Sequence, residues 1–249
     1  MDLDIESIHS NELSFCSLWS RAHKKIGCLE LFSNYKLGDD YFFNRLNITQ
    51  WSDDVVDILD IIKSNYSHGL DKYYIHLVSN EENASDLPEF GSMKILVYDV
   101  KNNAINSNRN IEIDIVDRND LNRWIDVFCK SFDIQNMKDE VSKIISKHYK
   151  KFTLLIAHYN LDKGRYPAGC CLLFDKNDNI GLYCLGTLKQ FRRKGVARNL
   201  IRSAIRIARN NGYNIMIVQT LTKEGYEEFY KKLGFKTIYE TMLYTLKLN

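Results

Sequence analysis

The sequence predicts a mixed α/β (α+β) protein in which helices flank a central sheet, with a second, smaller α/β domain at the N-terminus. Strand-like runs of period two alternate with helical stripes along the chain. Residues 180–210 read as a strand, a short basic turn with a glycine, and a helix. An Asn-rich stretch without periodicity, residues 101–110, divides the chain. We therefore expect domains over residues 1–100 and 111–249, joined by a linker at 101–110.

Composition bounds the class of protein. A chain of 249 residues can bury one large core or two smaller ones. The net charge of +2 does not indicate nucleic acid or membrane as a partner. The first residues are acidic, which argues against a secretion signal, and no apolar run approaches the ~20 residues of a membrane helix. Six cysteines without Cys-x-x-Cys spacing and six scattered histidines predict reduced thiols, a cytoplasmic location and no metal site.

The N-terminal hundred residues predict a small α/β arrangement. Residues 1 to about 34 have a helical pattern, in which Cys16 and Trp19 take core-facing positions. Ser52 or Asp53 can cap the next helix. A strand, a helix, a strand, a short helical turn and a strand are expected over residues 41–48, 52–66, 73–78, 84–90 and 93–100.

The remaining residues predict a larger arrangement of the same kind. Strands are expected over residues 111–116, 152–159, 168–174, 180–188, 215–221 and 237–248. Helices are expected over residues 121–129, 137–149, 197–210 and 225–233. Gly164 and Pro167 lie in one strand connection, and residues 176–179 form a hairpin turn.

The turn after the strand at 180–188 has the chemistry of a phosphate site. A helix start leaves backbone N–H groups unpaired and carries partial positive charge, so it binds anions. Gly195 lets the backbone approach a ligand closely, and Val196 and Ala197 keep the first turn slim. The basic residues before Gly195 add positive charge.

Two motifs carry a resemblance to the GNAT superfamily of acyl-CoA N-acyltransferases. Arg192-x-x-Gly195-x-Ala197 resembles the family's [Gln/Arg]-x-x-Gly-x-[Gly/Ala] loop. Residues 228–235, Glu-Phe-Tyr-Lys-Lys-Leu-Gly-Phe, are similar to the family's segment after its fifth strand. The resemblance covers residues 111–248 well and the first hundred residues weakly.

The resemblance implies a mixed, mostly antiparallel central sheet and transfer of an acetyl group from acetyl-CoA, as co-substrate and without a metal, directly to a primary amine. In the family the fourth strand splays from the fifth. Its free backbone groups pair with the pantetheine arm, and an N–H there can polarise the thioester carbonyl. The residues expected to bind the coenzyme are Leu185, Gly186, Thr187, Arg192, Arg193, Lys194, Gly195, Val196, Ala197, Arg198 and Lys223.

Tyr230 lines up with the family's frequent general acid, so its phenol is expected to protonate the departing thiolate. Two departures accompany it: Lys223 stands where many relatives have Asn, and Tyr226 where an alanine is frequent. The alternative for Tyr230 is a packed helical tyrosine. No general base can be assigned from the sequence. Candidates on the same segment are Glu224, Glu227 and Glu228.

Several alternatives remain open at the sequence level. The N-terminal part is either a degenerate, coenzyme-free GNAT-like half, because Asp53 and Asp54 replace the glycine loop, or an unrelated α/β domain. The whole protein could be a non-catalytic acyl-CoA sensor or scaffold. A covalent route through Cys184 lacks a base. One face of the helix at 197–210 carries a basic stripe, and such a stripe is more often a solvated surface than a nucleic-acid site. It comprises Arg198, Arg202, Arg206 and Arg209. The acceptor amine and the oligomeric state cannot be read from the sequence.

Overall fold

The computed structural model describes residues 4–27, 29–49, 62, 70–78, 87–101, 110–162 and 164–248. Its described helices are α1 (Ile5–Trp19), α2 (Leu121–Ser131), α3 (Lys138–His148), α4 (Val196–Asn210) and α5 (Glu227–Lys231). The described strands of the N-terminal part are β1 (Ala22–Ile26), β2 (Leu29–Ser33), β3 (Arg45–Ile48), β4 (Lys72–Leu77) and β5 (Glu89–Asp99). Those that follow are β6 (Ile111–Ile115), β7 (Thr153–Leu161), β8 (Gly164–Lys176), β9 (Asn179–Thr187), β10 (Ile215–Leu221) and β11 (Lys236–Lys247).

The chain folds into two compact units whose segments interleave along the sequence. Unit 1 comprises Met1–Ser14, Val97–Val218 and Lys231–Lys236, and unit 2 comprises Phe15–Leu96, Gln219–Tyr230 and Thr237–Asn249. Interleaving was not visible in the sequence, because it depends on which distant strands pair. The predicted linker at 101–110 lies mostly outside the described residues, so the predicted domain boundaries stay predictions.

Unit 1 contains a mixed, mostly antiparallel sheet. Strands β6, β7, β8 and β9 are antiparallel neighbours in that order. Strand β10 pairs with β9 in parallel, and α4 makes the crossover that a parallel connection requires. The buried face of α4 includes an apolar stripe of Leu200, Ile201, Ala204, Ile205 and Ala208.

Helices α2 and α4 cover opposite faces of this sheet. A Cβ on Gly169 would meet Val196 and Leu200 of α4, whereas one on Gly186 would meet Ser131 at the end of α2. Gly186 pairs with Cys170, the neighbour of Gly169, and successive residues of a strand face opposite ways. The end of β9 is therefore enclosed between the two helices.

The part of α1 up to Ser14 belongs to unit 1. Asn11 is fully buried and its amide nitrogen lies 3.4 Å from the Phe174 carbonyl oxygen and 3.3 Å from that of Asn179. The Tyr183 hydroxyl donates to the Asn11 side-chain oxygen at 2.8 Å. These bonds satisfy a buried amide, and they fix α1 over the hairpin between β8 and β9.

The strands of unit 2 also pair in a mixed arrangement. Strands β1, β2 and β3 are antiparallel neighbours, β3 pairs with β4 in parallel, and β4 pairs with β11 in antiparallel fashion. One face buries a single apolar cluster of Leu29, Leu31, Leu46, Ile48, Ile62, Leu70, Tyr73, Ile75, Leu77 and Leu246. The predicted fold class, a mixed and mostly antiparallel sheet flanked by helices, is confirmed.

Four local predictions were wrong. Gly164 and Pro167 were expected in a strand connection, but both belong to β8. The helical pattern ends at Trp19, and the residues up to Ser33 form the hairpin β1–β2, in which Gly27 has a φ of 55°. Four of the five residues of β1 are exposed, so its sequence lacks the alternation of apolar and polar residues that predicts a strand. The predicted strand over residues 41–48 begins only at Arg45. Residues 89–90 belong to β5 and not to a helical turn. The predicted caps Ser52 and Asp53 and most of their helix lie outside the described residues.

Candidate active site

The predicted glycine turn lies where β9 leads into α4. Gly195 adopts a left-handed conformation, with a φ of 88° and a ψ of 7°, and α4 begins at Val196, one residue before the predicted start. The Asn199 side chain donates to the Gly195 carbonyl oxygen at 2.9 Å, which fixes the turn from inside. The first turn contains Val196, Ala197 and Arg198 and carries no carboxylate. Its N–H groups and positive dipole end therefore suit an anion.

The predicted basic residues of the turn play different parts. Arg192 is tied to backbone oxygens: its Nε donates to the Thr187 carbonyl at 3.2 Å and its Nη2 to the Ser131 carbonyl at 3.3 Å. It thus joins the turn to the ends of β9 and α2. Arg193 has a φ of 61° and its side chain is exposed. The exposed Arg198 side chain lies one turn into α4.

Lys194 sits over two aromatic rings. Its Nζ lies 5.5 Å from the ring centroid of Tyr159 and 5.5 Å from that of Phe191. The two rings stack with centroids 5.5 Å apart. This cation–π arrangement orients the ammonium beside the turn while leaving the residue exposed.

Strand β9 carries a β-bulge just before the turn. Tyr183 pairs with Leu172 and Gly186 pairs with Cys170, so Cys184 and Leu185 together oppose the single residue Cys171. Cys184 has a φ of 55°, which is uncommon for a residue with a side chain. The bulge lies at the predicted pantetheine segment, Leu185 to Thr187.

Gly186 is required here by packing. A Cβ at this position would lie 2.6 Å from the Ser131 Cβ and 2.8 Å from the Phe132 ring. The Ser131 hydroxyl is buried and has no hydrogen-bond partner among the described residues. Any larger residue at Gly186 would push α2 away from the strand.

The ladder between β9 and β10 is short. Paired residues are Asn179 with Ile215, Ile180 with Met216 and Gly181 with Ile217, while β9 continues to Thr187. The predicted separation of the fourth strand from the fifth thus coincides with the part of β9 that follows Gly181, where the bulge also lies.

Tyr230 belongs to unit 2 and lies on the short helix α5. Its side chain is 8 % exposed, and its ring packs against Phe229 at 5.3 Å in a T-shaped arrangement. Lys223 lies in the short turn before α5, where its Nζ is 3.3 Å from the centroid of the Phe90 ring. Lys223 therefore makes a cation–π contact within unit 2, and its predicted coenzyme contact stays a prediction.

The candidate bases differ in availability. Glu227 accepts from the Thr237 hydroxyl at 2.8 Å and pairs with the Lys94 ammonium at 2.8 Å, so its carboxylate is engaged. Glu224 is exposed overall, yet partial desolvation of its carboxylate disfavours the charged form and raises its pKa. The positive charge of Lys223 opposes this shift. Glu228 is exposed.

The arginine stripe of α4 is only partly solvated. Arg198 and Arg206 are exposed, but Arg209 donates from Nε to the Val100 carbonyl at 2.9 Å. Desolvation is the main cause that lowers the pKa of Arg202, and the positive charges of the neighbouring Arg198 and Arg206 lower it further. The stripe therefore contributes to packing in unit 1 as well as to surface charge.

Two negative findings concern other site types. Among the described residues, no group of three or more His, Cys, Asp and Glu side chains is placed to hold a metal ion. Within the same residues, no helix combines the length and apolar character needed to cross a membrane. Five of the cysteines lie in the described ranges, and each is a free thiol: Cys16, Cys129, Cys170, Cys171 and Cys184.

Comparison with known proteins identifies the fold and the domain. Residues 150–237 match the model of the acetyltransferase (GNAT) domain. A GCN5-related N-acetyltransferase from Kribbella flavida has a TM-score of 0.68 at 11 % identity, over 95 % of this chain and 94 % of that chain. One from Sphaerobacter thermophilus has a TM-score of 0.68 at 9 % identity, over 89 % and 77 %. No curated protein matches the chain in sequence.

A tandem GNAT protein from the clavulanic acid biosynthesis pathway also shares the fold. Its TM-score is 0.55 at 8 % identity, over 83 % of this chain and 76 % of that chain. Residues 150–237 thus resemble a GNAT acetyltransferase domain, and this match supports acyl transfer from coenzyme A in general.

Three residues around the bulge were not predicted from the sequence: Trp124, Ser131 and Cys170. Trp124 lies in the helix predicted over residues 121–129, and Cys170 in the strand predicted over residues 168–174. Neither pattern says that the strand opposite carries an extra residue. The register between β8 and β9 supplies that information, and no local signal encodes it.

Proposed function

We propose that the protein is an N-acetyltransferase that moves the acetyl group of acetyl-CoA directly to a primary amine. The observation that carries the proposal is the left-handed Gly195 at the open start of α4, directly after a bulged and partly unpaired strand. The GNAT match over residues 150–237 includes both features. A non-catalytic acyl-CoA binder is not favoured by these comparisons.

The backbone of unit 1 would do most of the binding. Amides of the turn from Arg193 to Arg198 would hold the pyrophosphate, helped by the charge of Lys194. Of the predicted strand positions, Gly186 is paired with Cys170 of β8, and the Thr187 carbonyl accepts from Arg192. We assign polarisation of the thioester carbonyl to the amide of Leu185, which lies in the bulge.

Proton transfers complete the reaction. The acceptor amine must lose a proton before or during attack, and the coenzyme thiolate must gain one on leaving. We assign the second transfer to Tyr230 on the strength of the motif at residues 228–235. No base is assigned: Glu227 is engaged by Lys94 and Thr237, and a water chain or an amine already partly neutral would serve.

We further propose that the N-terminal part is a degenerate GNAT-like half that binds no coenzyme. Unit 2 repeats the connectivity of unit 1, with antiparallel strands β2 and β3 followed by parallel β4. Each residue of β3, however, is paired on both sides, with β2 along its length and with β4 from Arg45 to Ile48. No part of β3 is left open for a pantetheine arm. Calorimetry should find one acetyl-CoA per chain.

Thermal unfolding with and without acetyl-CoA tests the coenzyme site. Ligand at 100 times its dissociation constant should stabilise the protein by about 2.7 kcal/mol. Gly195→Asp should abolish the shift, because it adds a carboxylate at the anion site. Gly212→Asp is the matched control: Gly212 has a φ of 79° and follows the other end of α4. Loss of the shift in both variants, or in neither, would contradict the site.

Thiol release tests the reaction itself. The wild type with acetyl-CoA and a panel of primary amines should release free coenzyme A faster with at least one amine than without. Release would exclude the non-catalytic binder. Binding without release from any amine tested would favour it. A cytoplasmic location belongs to the same proposal and can be checked by fractionation of cells expressing the protein.

A further inference from the structure

The bulge on β9 interrupts its regular register with β8. Cys171 of β8 faces both Cys184 and Leu185 across this interruption, and on its other side it pairs with Leu155 of β7. The extra residue leaves the shape of β9 less constrained by the ladder, so side chains that bond the backbone here can fix it. Two side chains on the α2 side of the strand make such bonds.

The first is Trp124 of α2. Its indole Nε1 donates a hydrogen bond to the Cys171 carbonyl oxygen at 3.0 Å. The side chain is fully buried, and its ring stacks on Phe128 with centroids 5.1 Å apart. The indole N–H therefore ties the β8 backbone opposite the bulge to a helix that cannot shift without unpacking.

The second is Cys170, which is also fully buried. Its Sγ lies 3.8 Å from the Cys184 carbonyl oxygen, to which the thiol can donate. Burial raises the pKa of this thiol, so it stays protonated and keeps that donor. The thiol thus contacts the backbone of the bulge at Cys184.

We infer that Trp124 and Cys170 are positioning residues that hold the β9 bulge in the shape in which the Leu185 amide can meet a bound thioester. The inference rests on the proposed acyl transfer, because it concerns the same strand. It goes further in naming side chains that touch neither coenzyme nor acceptor. Their effect should appear in the chemical step and in the mobility of the bulge, and hardly in coenzyme affinity.

Hydrogen exchange tests the positioning without any activity. Trp124→Phe keeps the aromatic stacking but removes the N–H. By NMR, the amides of Leu185 and Gly186 should exchange at least about tenfold faster in the variant, because opening of the bulge becomes easier. The amide of Ile180 should be unaffected. Trp19→Phe replaces an equally buried tryptophan in α1 and should leave the bulge amides as in the wild type. Unchanged exchange in Trp124→Phe would overturn the inference.

Kinetics then test its purpose. Trp124→Phe should lower kcat roughly tenfold or more. This loss should stay below the ~10²- to 10³-fold loss that follows removal of an oxyanion donor. The dissociation constant of free coenzyme A should stay within about twofold of the wild-type value. Cys170→Ala should behave similarly, and Cys170→Ser should recover most of kcat because a hydroxyl can still donate to the Cys184 carbonyl. Equal loss in both Cys170 variants, or an unchanged kcat in Trp124→Phe, would overturn the positioning role.

Failure of the proposed function is distinguishable from failure of this inference. If the wild type releases no thiol with any amine, the acyl transfer is wrong, and with it the catalytic purpose of the bulge. The exchange measurement still decides whether Trp124 and Cys170 hold the strand. If the wild type is active and the exchange of the bulge amides is insensitive to Trp124→Phe, only the inference is wrong.

Discussion

The guanidinium of Arg192 donates to the backbone carbonyl of Ser131 at 3.3 Å, across 61 positions of sequence. A second bond from the same side chain reaches the Thr187 carbonyl at 3.2 Å. The first residue of the coenzyme motif is thus committed to holding the turn against the end of α2. Its side chain supports the shape of the turn, and the backbone amides that follow are left to contact an anion.

This arrangement predicts a stability effect for Arg192 in the absence of coenzyme. Arg192→Met should lower the free energy of unfolding by about 1 kcal/mol, since two partly exposed hydrogen bonds are lost. Arg193→Met, at an exposed neighbour, should change it by less than about 0.5 kcal/mol. Urea denaturation of both variants without ligand measures the difference. Equal effects would mean that Arg192 does not fasten the turn.

The contact between Gly186 and Ser131 gives a second prediction. Gly186→Ala should cost about 1–3 kcal/mol, because its Cβ would lie 2.6 Å from that of Ser131. Ser131→Gly removes the opposing Cβ, so the double variant should be more stable than the sum of the single effects predicts. Urea denaturation of the wild type, the two single variants and the double variant completes a double-mutant cycle. A coupling free energy of about 0.5 kcal/mol or more between the two positions is expected. Additive effects would place the clash elsewhere.

Much of the site was predictable because its signals are local. The glycine before the helix and the basic residues around it lie within a few positions of one another. The apolar stripe of α4 predicts where the helix starts to within one residue of the observed start, Val196. The order of strand, turn and helix then follows from periodicity.

The rest depends on pairing between distant segments. The bulge exists because β9 has one more residue than β8 between two matched pairs, which no window of sequence contains. Strand β1 was missed because an edge strand with lysines at Lys24 and Lys25 needs no apolar alternation. The bond from Arg192 to Ser131 requires the packing of α2 to be known first.

Tyr230 gives the third prediction. Tyr230→Phe should lower kcat about 10²-fold or more, because a general acid typically contributes that much, with little change in coenzyme affinity. Tyr226→Phe is the matched control, since Tyr226 is 55 % exposed and lies four residues away. Steady-state thiol release for both variants is the measurement. An active Tyr230→Phe enzyme would assign the tyrosine to packing alone.

His158 of β7 is a buried titratable group outside the proposed site. Its ring is fully buried, and Nδ1 lies 3.4 Å from an Asp114 carboxylate oxygen, at the edge of hydrogen-bond reach. Burial is the main cause that lowers its pKa from 6.5. Two guanidinium groups lower the pKa further, and two carboxylates oppose the shift. The charged groups that face it are Arg165, Arg123, Asp114 and Glu112.

A lowered pKa makes His158 a source of acid sensitivity. Below pH 6.5 the unfolded chain takes up a proton at this residue while the folded protein does not, so stability is complete above pH 6.5 and falls as the pH drops towards the folded pKa. His158→Phe cannot take up that proton. The wild type should therefore lose more unfolding free energy than the variant between pH 7.5 and pH 5, as measured by urea denaturation. Parallel losses in the two proteins would show that the imidazole titrates alike in both states.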